Sequence, residues 1–317
     1  MFNVQRSMMK QFNYYIATAV VLLLTSATVH AQLPNEKFGK PSTQEWEFVG
    51  WGPAIGADAI ILCKTMKATY QLSDQVDNFN QSDSSLGADN ITDFSKNQID
   101  DSNILVKYEV RLRTKILKPE GARHANIDIT YYDAAKEKKF LVDDVSDMKI
   151  RVFTKNEKGK VEKRTVSTAA FTKERVDDNY MVMHVTVPDV QPGSIIEYQY
   201  NMTSTRPTFL YDWIFQEDIP TVHSKCDIEI PAFLQFQMNA PINKLIKSSV
   251  VAGRLAYDEN RSDLKRGKTC ITNHYVMTGD YIRPEDEEIA RFTSQINMPN
   301  VAQPAYMPKG STHLKVK

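Results

Sequence analysis

The sequence predicts a mostly β protein: an antiparallel β-sandwich with few helices and one short helix near the C-terminus. Short runs that alternate apolar and polar residues recur along the chain, and turn residues such as Pro, Gly and Asn separate them. Only the stretch PEDEEIARFTSQ, from Pro284, has the early proline and the acidic first turn typical of a helix. Because each strand alternates, two packed sheets are the simplest way to bury the apolar faces.

The clearest strand begins at Ile104, in ILVKYEVRLRTKILK. Its apolar side chains fall on one face, while Lys, Arg and Glu take the other. The basic face could bind an anion, but a solvated sheet face is the more common meaning of such a pattern. Further on, KIRVFTKNEKGKVEKRTV predicts a hairpin with NEKG as its turn.

The stretch VPDVQPGSIIEYQYN contains a turn and an acid inside an apolar run. Pro192 and Gly193 suit the two central positions of a type II turn, because proline fixes one dihedral angle and glycine accepts a positive φ. In the strand that follows, Glu197 alternates with Ile196 and Tyr198. We therefore expect Glu197 on an exposed polar face with a structural role, and we keep it as a weak binding candidate.

Composition argues against one class of partner, nucleic acid, and distinguishes one segment from the rest of the chain. The 317 residues contain 39 basic and 39 acidic side chains, and a net charge of zero argues against a nucleic-acid partner. Residues 73–103 are rich in aspartate and poor in apolar residues. The acid order of an EF-hand is missing there, so we predict a mobile insertion rather than a calcium site.

The N-terminus predicts export. A basic residue, Lys10, precedes the apolar run IATAVVLLL and the cleavage-site pattern VHA, which together indicate a signal peptide at 1–31 cleaved after Ala31. Translation from Met9 would give a signal of ordinary shape. The apolar run is too short for a membrane span. We therefore expect a periplasmic or extracellular protein that keeps no transmembrane segment after cleavage.

The motifs of common catalytic and cofactor sites do not occur. The sequence has no Cys-x-x-Cys, His-Glu-x-x-His, Gly-rich phosphate loop or Gly-x-Ser-x-Gly, so neither a metal nor a cofactor is predicted. The aromatic pair Tyr211 and Trp213, with Asp212 between them, could contact a sugar or a peptide. Aromatic residues of a sandwich more often belong to its core, so these three remain weak binding candidates.

Several segments of the chain occur in the same order as in a known protein family. They are FGKPSTQEWEF, GADAIILCKT, RLRTKILKPEGARHANIDITY, MKIRVFTKNEKGKV, VPDVQPGSIIEYQYN and YDWIFQEDIPTVHSKCDIEIP. Together, over residues 38–277, they resemble the uncharacterised domain that precedes a transglutaminase-like domain in exported proteins of Gram-negative bacteria. The resemblance implies a β-rich exported module with a papain-like catalytic neighbour, and it assigns no catalytic residue to the module itself. No such neighbour follows in this sequence, which leaves both a stand-alone and a truncated form open.

Two classes of function follow from these observations. The favoured one is a non-catalytic module at 32–283 that binds a peptide, protein or glycan, or holds a catalytic partner. Residues 284–317 would then supply the short helix and a Pro-rich tail with the composition of a linker. The alternative is a thiol-dependent hydrolase or acyltransferase that uses Cys226 or Cys270 with His184 or His274. The cysteines lie in β runs without an activating helix terminus, which favours the binding module.

Overall fold

The computed structural model describes residues 36–72, 104–134, 143–232, 234, 236–239, 244–257, 269–286 and 293–296. The elements below belong to the unit formed by residues 34–317. The predicted signal peptide, the Asp-rich segment 73–103 and the Pro-rich tail after residue 296 lie outside the described residues.

The described chain is mostly β, as predicted. Its strands are β1 (Ala59–Leu72), β2 (Ile104–Ile116), β3 (Ile127–Tyr132), β4 (Asp143–Lys155), β5 (Val161–Thr165), β6 (Phe171–Arg175), β7 (Tyr180–Val185), β8 (Ile195–Ser204), β9 (Thr221–Pro231), β10 (Phe236–Asn239), β11 (Ile246–Tyr257), β12 (Thr269–Ile282) and β13 (Thr293–Ile296). Both the alternating run from Ile104 and the KIRVFTKNEKGKVEKRTV hairpin are present, as β2 and as β4–β5.

Eight strands form the main sheet in the order β11-β12-β9-β1-β2-β8-β4-β5. Neighbouring strands run antiparallel with one exception, because β1 and β9 are parallel. The prediction of a purely antiparallel architecture is therefore wrong at this pair. The two strands are far apart in the chain, and an apolar pattern does not encode which strand will be its neighbour. A three-stranded sheet, β3-β7-β6, and the pair β10-β13 complete the described strands.

One face of the main sheet, the core face, shares a hydrophobic core with the three-stranded sheet. From the main sheet the core takes alternate residues such as Val106, Tyr108 and Cys226, and from the small sheet residues such as Ile129 and Val185. This is the outcome that period-two patterning predicts, since every second side chain enters the core. We call the opposite face of the main sheet the strap face.

Among the residues that the structure describes, helices are few and short. The α-helix α1 spans Thr43–Glu47, and 3-10 turns occur at Gly52–Ala54, Pro119–Ala125 and Thr168–Ala170. The helix expected from Pro284 is not shown. Thr293–Ile296, the end of that stretch, is strand β13 paired with β10, which supplies backbone hydrogen bonds from another part of the chain.

The turn before β8 has type II geometry. Gly193 adopts a φ of 87°, and the Ser194 N–H donates to the Gln191 carbonyl over 3.0 Å. The Gly193 N–H in turn donates to the Ile116 carbonyl over 2.8 Å. The turn thereby fixes the start of β8 against the end of β2, and so sets the register that brings Glu197 beside Arg113.

Candidate functional site

A segment near the N-terminus, residues 36–51, crosses the strap face, and we call it the strap. Its aromatic residues Trp46, Phe48 and Trp51 pack on a second, smaller hydrophobic cluster. The buried members of that cluster are Ile60, Leu62, Phe153, Ile195 and Val222. Apolar burial therefore attaches the C-terminal half of the strap, whereas its N-terminal half is held by charged groups.

Arg113, on β2, is the centre of the charged contacts. Its Nη1 donates to Glu45 Oε1 and its Nη2 to Glu197 Oε1, each over 2.5 Å. Nη2 also donates to the Lys37 carbonyl over 2.7 Å. Burial opposes the charge of Arg113, but the two carboxylates outweigh burial and raise its pKa. The guanidinium thus joins two parts of the strap to the sheet.

Glu197 lies beneath the strap, and the expectation that it faces solvent is wrong. Only 3% of the residue is exposed. Its Oε2 accepts the Gly39 N–H over 2.5 Å, while Oε1 accepts Nε and Nη2 of Arg113. Burial raises the pKa of Glu197, and Arg113 opposes that rise. The alternation of β8 was assigned correctly, but the polar side of the strand is covered by a segment about 158 residues earlier in the chain.

Sequence reasoning missed α1, although its signal is present. Ser42 and Glu45 form a capping box, in which Ser42 Oγ accepts the Glu45 N–H and Glu45 Oε2 accepts the Ser42 N–H. The Ser-x-x-Glu pattern at a helix start is the sequence signature of this motif. The capping box also holds the Glu45 carboxylate where it meets Arg113.

Lys115 binds the end of α1. Its Nζ donates to the carbonyls of Glu45, Trp46 and Phe48 over 3.3, 2.6 and 2.7 Å. These carbonyls lack partners within the helix, and a cation at a helix C-terminus is favourable. Burial, with repulsion from Lys155, lowers the pKa of Lys115 to about 8. The basic face of β2 therefore binds the backbone of the strap rather than standing in solvent.

His223, on β9, anchors the beginning of the strap. Its Nδ1 lies 2.8 Å from Asp280 and its Nε2 lies 3.4 Å from Glu36. Lys225 adds a second cation 3.3 Å from Glu36. The two carboxylates overcome desolvation and raise the pKa of His223 to about 9, while the nearby His223 and Lys225 lower the pKa of Glu36 to about 2.

The two cysteines whose side chains are described are buried and free. Cys63 is 5% exposed beneath the strap, and Cys226 is 0% exposed on the core face. Burial raises the pKa of Cys63 to about 12 and the pKa of Cys226 well above its ordinary value. Neither thiol has the lowered pKa that a nucleophile needs. Cys270 belongs to β12, but its side chain lies outside the described part.

The histidines of the thiol alternative do not meet Cys226. His184 lies on the three-stranded sheet, with Nδ1 2.7 Å from Asp128. His274 lies on the strap face, with Nε2 2.8 Å from Asp227, whereas Cys226 faces the core. The structure therefore does not bring these groups together.

The aromatic binding candidates lie in the core. Trp213 is 1% exposed, and its Nε1 donates to Ser224 Oγ over 3.0 Å. The Tyr211 hydroxyl bonds to the buried carboxylate of Asp143, which also accepts from Arg206 over 3.1 Å. Asp212, between the two aromatic residues, is half-buried. Rings buried to this extent pack within the protein and present no platform to a ligand.

One cleft lies where the core face meets the loop after β2. It has a volume of about 20 Å³, room for about one water molecule, and is lined mainly by apolar side chains, with polar groups that include His124, Asn126 and Asp218. Among the described residues, no group of His, Cys, Asp and Glu is arranged to hold a metal ion. Within the same residues, no helix is long and apolar enough to cross a membrane.

Within the described ranges of the chain, the strap leaves part of the strap face uncovered. Beyond Arg113, the neighbouring strands present polar side chains that are only half-buried, such as Thr65, Gln199 and Asn201. Lys225 and Asp227 continue this surface on β9. This part of the strap face is thus a polar surface beside the end that holds the strap.

Comparison with known proteins gives the family. The model of a domain of unknown function, DUF3857, matches residues 103–265, about half of the chain, and the protein belongs to this family. No curated protein matches the chain. Among solved structures, it is similar to the crystal structure of a "putative protease" from Parabacteroides distasonis, with 12% identity and a TM-score of 0.44. That match covers 76% of this chain but only 40% of the other.

Proposed function

We propose that this protein is an exported, non-catalytic module whose strap face binds a peptide or protein, and that it serves a transglutaminase-like or cysteine-peptidase-like catalytic partner. One observation carries the proposal: the strap face already binds the backbone of another segment, the strap, which contains a turn at Gly39 and the short helix α1. Arg113 and Lys115 donate to main-chain carbonyls of the strap, and Glu197 accepts a main-chain N–H. Main-chain hydrogen bonds give affinity that depends little on the side chains of the bound segment.

The uncovered part of the strap face supports a macromolecular rather than a small ligand. The cleft on the core face has room for about one water molecule, whereas pockets for small molecules are many times larger. The polar surface beside the strap suits a second polypeptide. A glycan is less favoured as the ligand, because Tyr211 and Trp213, the aromatic residues that could stack on a sugar, are buried.

Thiol chemistry is the less supported alternative. Cys63 lies near His223, on the neighbouring strand, but both ring nitrogens of His223 face carboxylates. The raised pKa of Cys63 and of Cys226 keeps both groups as neutral thiols at neutral pH. Export is supported by the signal pattern at 1–31, and the catalytic partner by the family resemblance.

Binding to a catalytic domain encoded next to this gene tests the proposal. We expect calorimetry to detect a complex with the purified chain, and the double change Thr65→Arg/Gln199→Arg to weaken it at least tenfold. The matched control Thr172→Arg/Glu174→Arg, on exposed strand β6, should bind normally. Neighbouring DNA that encodes no such domain would contradict the accessory role.

A labelling experiment tests the non-catalytic part. Cys63 and Cys226 should react with iodoacetamide only after the chain is unfolded, because folded burial protects both thiols. Rapid labelling of one cysteine in the folded chain, abolished by replacing a single histidine, would favour the enzyme instead.

A further inference from the structure

The β4–β5 hairpin concentrates positive charge in a chain whose net charge is zero. Residues 149–164 contain seven basic and two acidic side chains. Five exposed lysines belong to it, and we call this set the basic hairpin: Lys149, Lys155, Lys158, Lys160 and Lys163. A local excess of one sign on a neutral protein creates a field that acts on partners of opposite charge.

This positive charge is not neutralised within the described part of the chain. There, none of the five lysines forms a salt bridge with a carboxylate. Of the two acids in the hairpin, Glu162 accepts a hydrogen bond from Asn156 Nδ2 over 2.9 Å, and Glu157 is exposed at the tip. The positive charge of the hairpin also acts on a buried group, since repulsion from Lys155 helps to lower the pKa of Lys115.

The tip of the basic hairpin is built to hold its lysines in place. Asn156 Oδ1 accepts the N–H groups of Lys158 and Lys160 over 3.1 and 3.0 Å. The Asn156 N–H donates to the Lys160 carbonyl over 3.0 Å, and Gly159 supplies the positive φ of 73° that closes the turn. A fixed backbone presents the charges at lower entropic cost than a flexible loop would.

Protection of a sheet edge explains only part of the pattern. β5 is an edge strand of the main sheet, and lysines on an edge strand prevent pairing with other chains. That function accounts for Lys163. It does not account for Lys149 and Lys155, which belong to β4 and not to the edge strand, or for Lys158, which lies in the turn.

Apolar groups lie among the lysines on the strap face. Val161 is paired with Lys155 across the hairpin and is 43% exposed. The Lys155 Nζ lies 5.1 Å from the ring centroid of Trp46, which is half-buried. A tryptophan and an aliphatic side chain beside several lysines is the combination that suits the boundary between lipid headgroups and acyl chains.

From this arrangement we infer that the basic hairpin is a docking surface for a bilayer rich in anionic phospholipid. The lysines supply attraction to the headgroups, and Val161 with Trp46 supplies a small apolar contact beneath them. A soluble polyanion could satisfy the charges but would gain little from an exposed valine. This surface adjoins the uncovered part of the strap face that we propose for polypeptide binding, since Lys149 is paired with Gln199 across β4 and β8.

Vesicle flotation tests the inference on the full folded chain. We expect binding to vesicles of phosphatidylglycerol and phosphatidylcholine, no binding to pure phosphatidylcholine, and release as salt is raised. Since each lysine near an anionic surface contributes about a fivefold gain in affinity, Lys158→Glu/Lys160→Glu/Lys163→Glu should weaken binding more than about a hundredfold. Val161→Ser should weaken it a few fold.

The control makes the same charge change elsewhere. Lys173→Glu/Lys244→Glu/Lys247→Glu replaces three exposed lysines on β6 and at the opposite edge of the main sheet, and it should bind vesicles like the wild type. Circular dichroism and melting temperature show whether each variant is folded. Equal loss in both triple variants would mean that net charge alone matters, and would overturn the assignment. So would binding of soluble polyphosphate that matches the vesicles in strength, or no vesicle binding at all.

Discussion

Arg113 and Glu197 face each other across β2 and β8, and Nη2 of the arginine lies 2.5 Å from Oε1 of the glutamate. Both residues are buried, and Glu45 of the strap completes the group with a second carboxylate. A buried ion pair adds little net stability by itself, and without Glu197 the charge of Arg113 would still be compensated by Glu45. Glu197 also accepts the Gly39 N–H, so its hydrogen bonds make it a probe of the strap.

We predict that Glu197→Gln lowers the free energy of unfolding by about 2 kcal/mol, the scale of hydrogen bonds to a charged group, since Glu45 still compensates Arg113. The change removes the charge opposite Arg113 and weakens the acceptor of the Gly39 N–H. Urea denaturation measures the difference. The matched control Glu157→Gln, at an exposed turn position, should change stability by less than about 0.5 kcal/mol. If the two variants prove equally stable, Glu197 does not lie beneath the strap.

The alternation of apolar and polar residues was enough to predict β2, β8 and the β4–β5 hairpin. It placed Tyr198 and Tyr200 on the core face correctly, because the side-chain period of a strand depends only on the backbone. It could not show that Glu197 is buried. That depends on which distant segment covers the polar face, and local periodicity contains no such information.

Only parts of the candidate site could be predicted from the sequence. Ser42 and Glu45 form a recognisable capping box, so α1 could have been predicted. The contact of Glu45 with Arg113, and that of Glu36 with His223, join residues 68 and 187 positions apart in the chain. Such pairs are set by the tertiary arrangement, including the parallel pairing of β1 with β9.

A glycine-to-alanine substitution should cost more stability in the strap than in an ordinary turn. Gly193→Ala places a Cβ at a φ of 87° in open space, so we expect a cost of about 1 kcal/mol from backbone conformation alone. Gly39→Ala has a similar φ of 85°, but its Cβ would lie 2.0 Å from Arg151 Nη1. Arg151 would have to leave the ring of Phe38, which raises the expected cost to about 2 kcal/mol.

Thermal or urea unfolding of both variants measures this difference, and Gly159→Ala, with a φ of 73° and open space, is the control for Gly193. A Gly39 variant no less stable than the other two would show that the strap does not approach Arg151 this closely.

Ser42→Ala should lower the free energy of unfolding by about 1 kcal/mol, because the Glu45 N–H loses its acceptor at the start of α1. Ser42→Thr keeps a hydroxyl and should recover most of the loss. Urea denaturation of the two variants makes the comparison. Equal destabilisation by alanine and threonine would point to packing around Ser42, and not to the capping hydrogen bond.

His223 should make stability fall as the pH rises above about 6.5. Its pKa is raised from 6.5 to about 9 in the folded chain, so the folded state holds the proton more tightly than the unfolded state does. The resulting stability is fully present below the unfolded pKa and is lost as the pH passes through the folded one. Lys115 acts in the opposite direction, because its folded pKa of about 8 lies below 10.5, but this contribution begins only near pH 8.

The interval from pH 6.5 to pH 8 therefore isolates the histidine. We expect the free energy of unfolding of the wild type, measured in urea, to decrease across this interval, and His223→Gln to reduce that decrease. His184, whose pKa is raised by Asp128, contributes a slope of the same sign, but it is present in both proteins and cancels in the comparison. Identical slopes for the two proteins would mean that His223 is not held between Asp280 and Glu36.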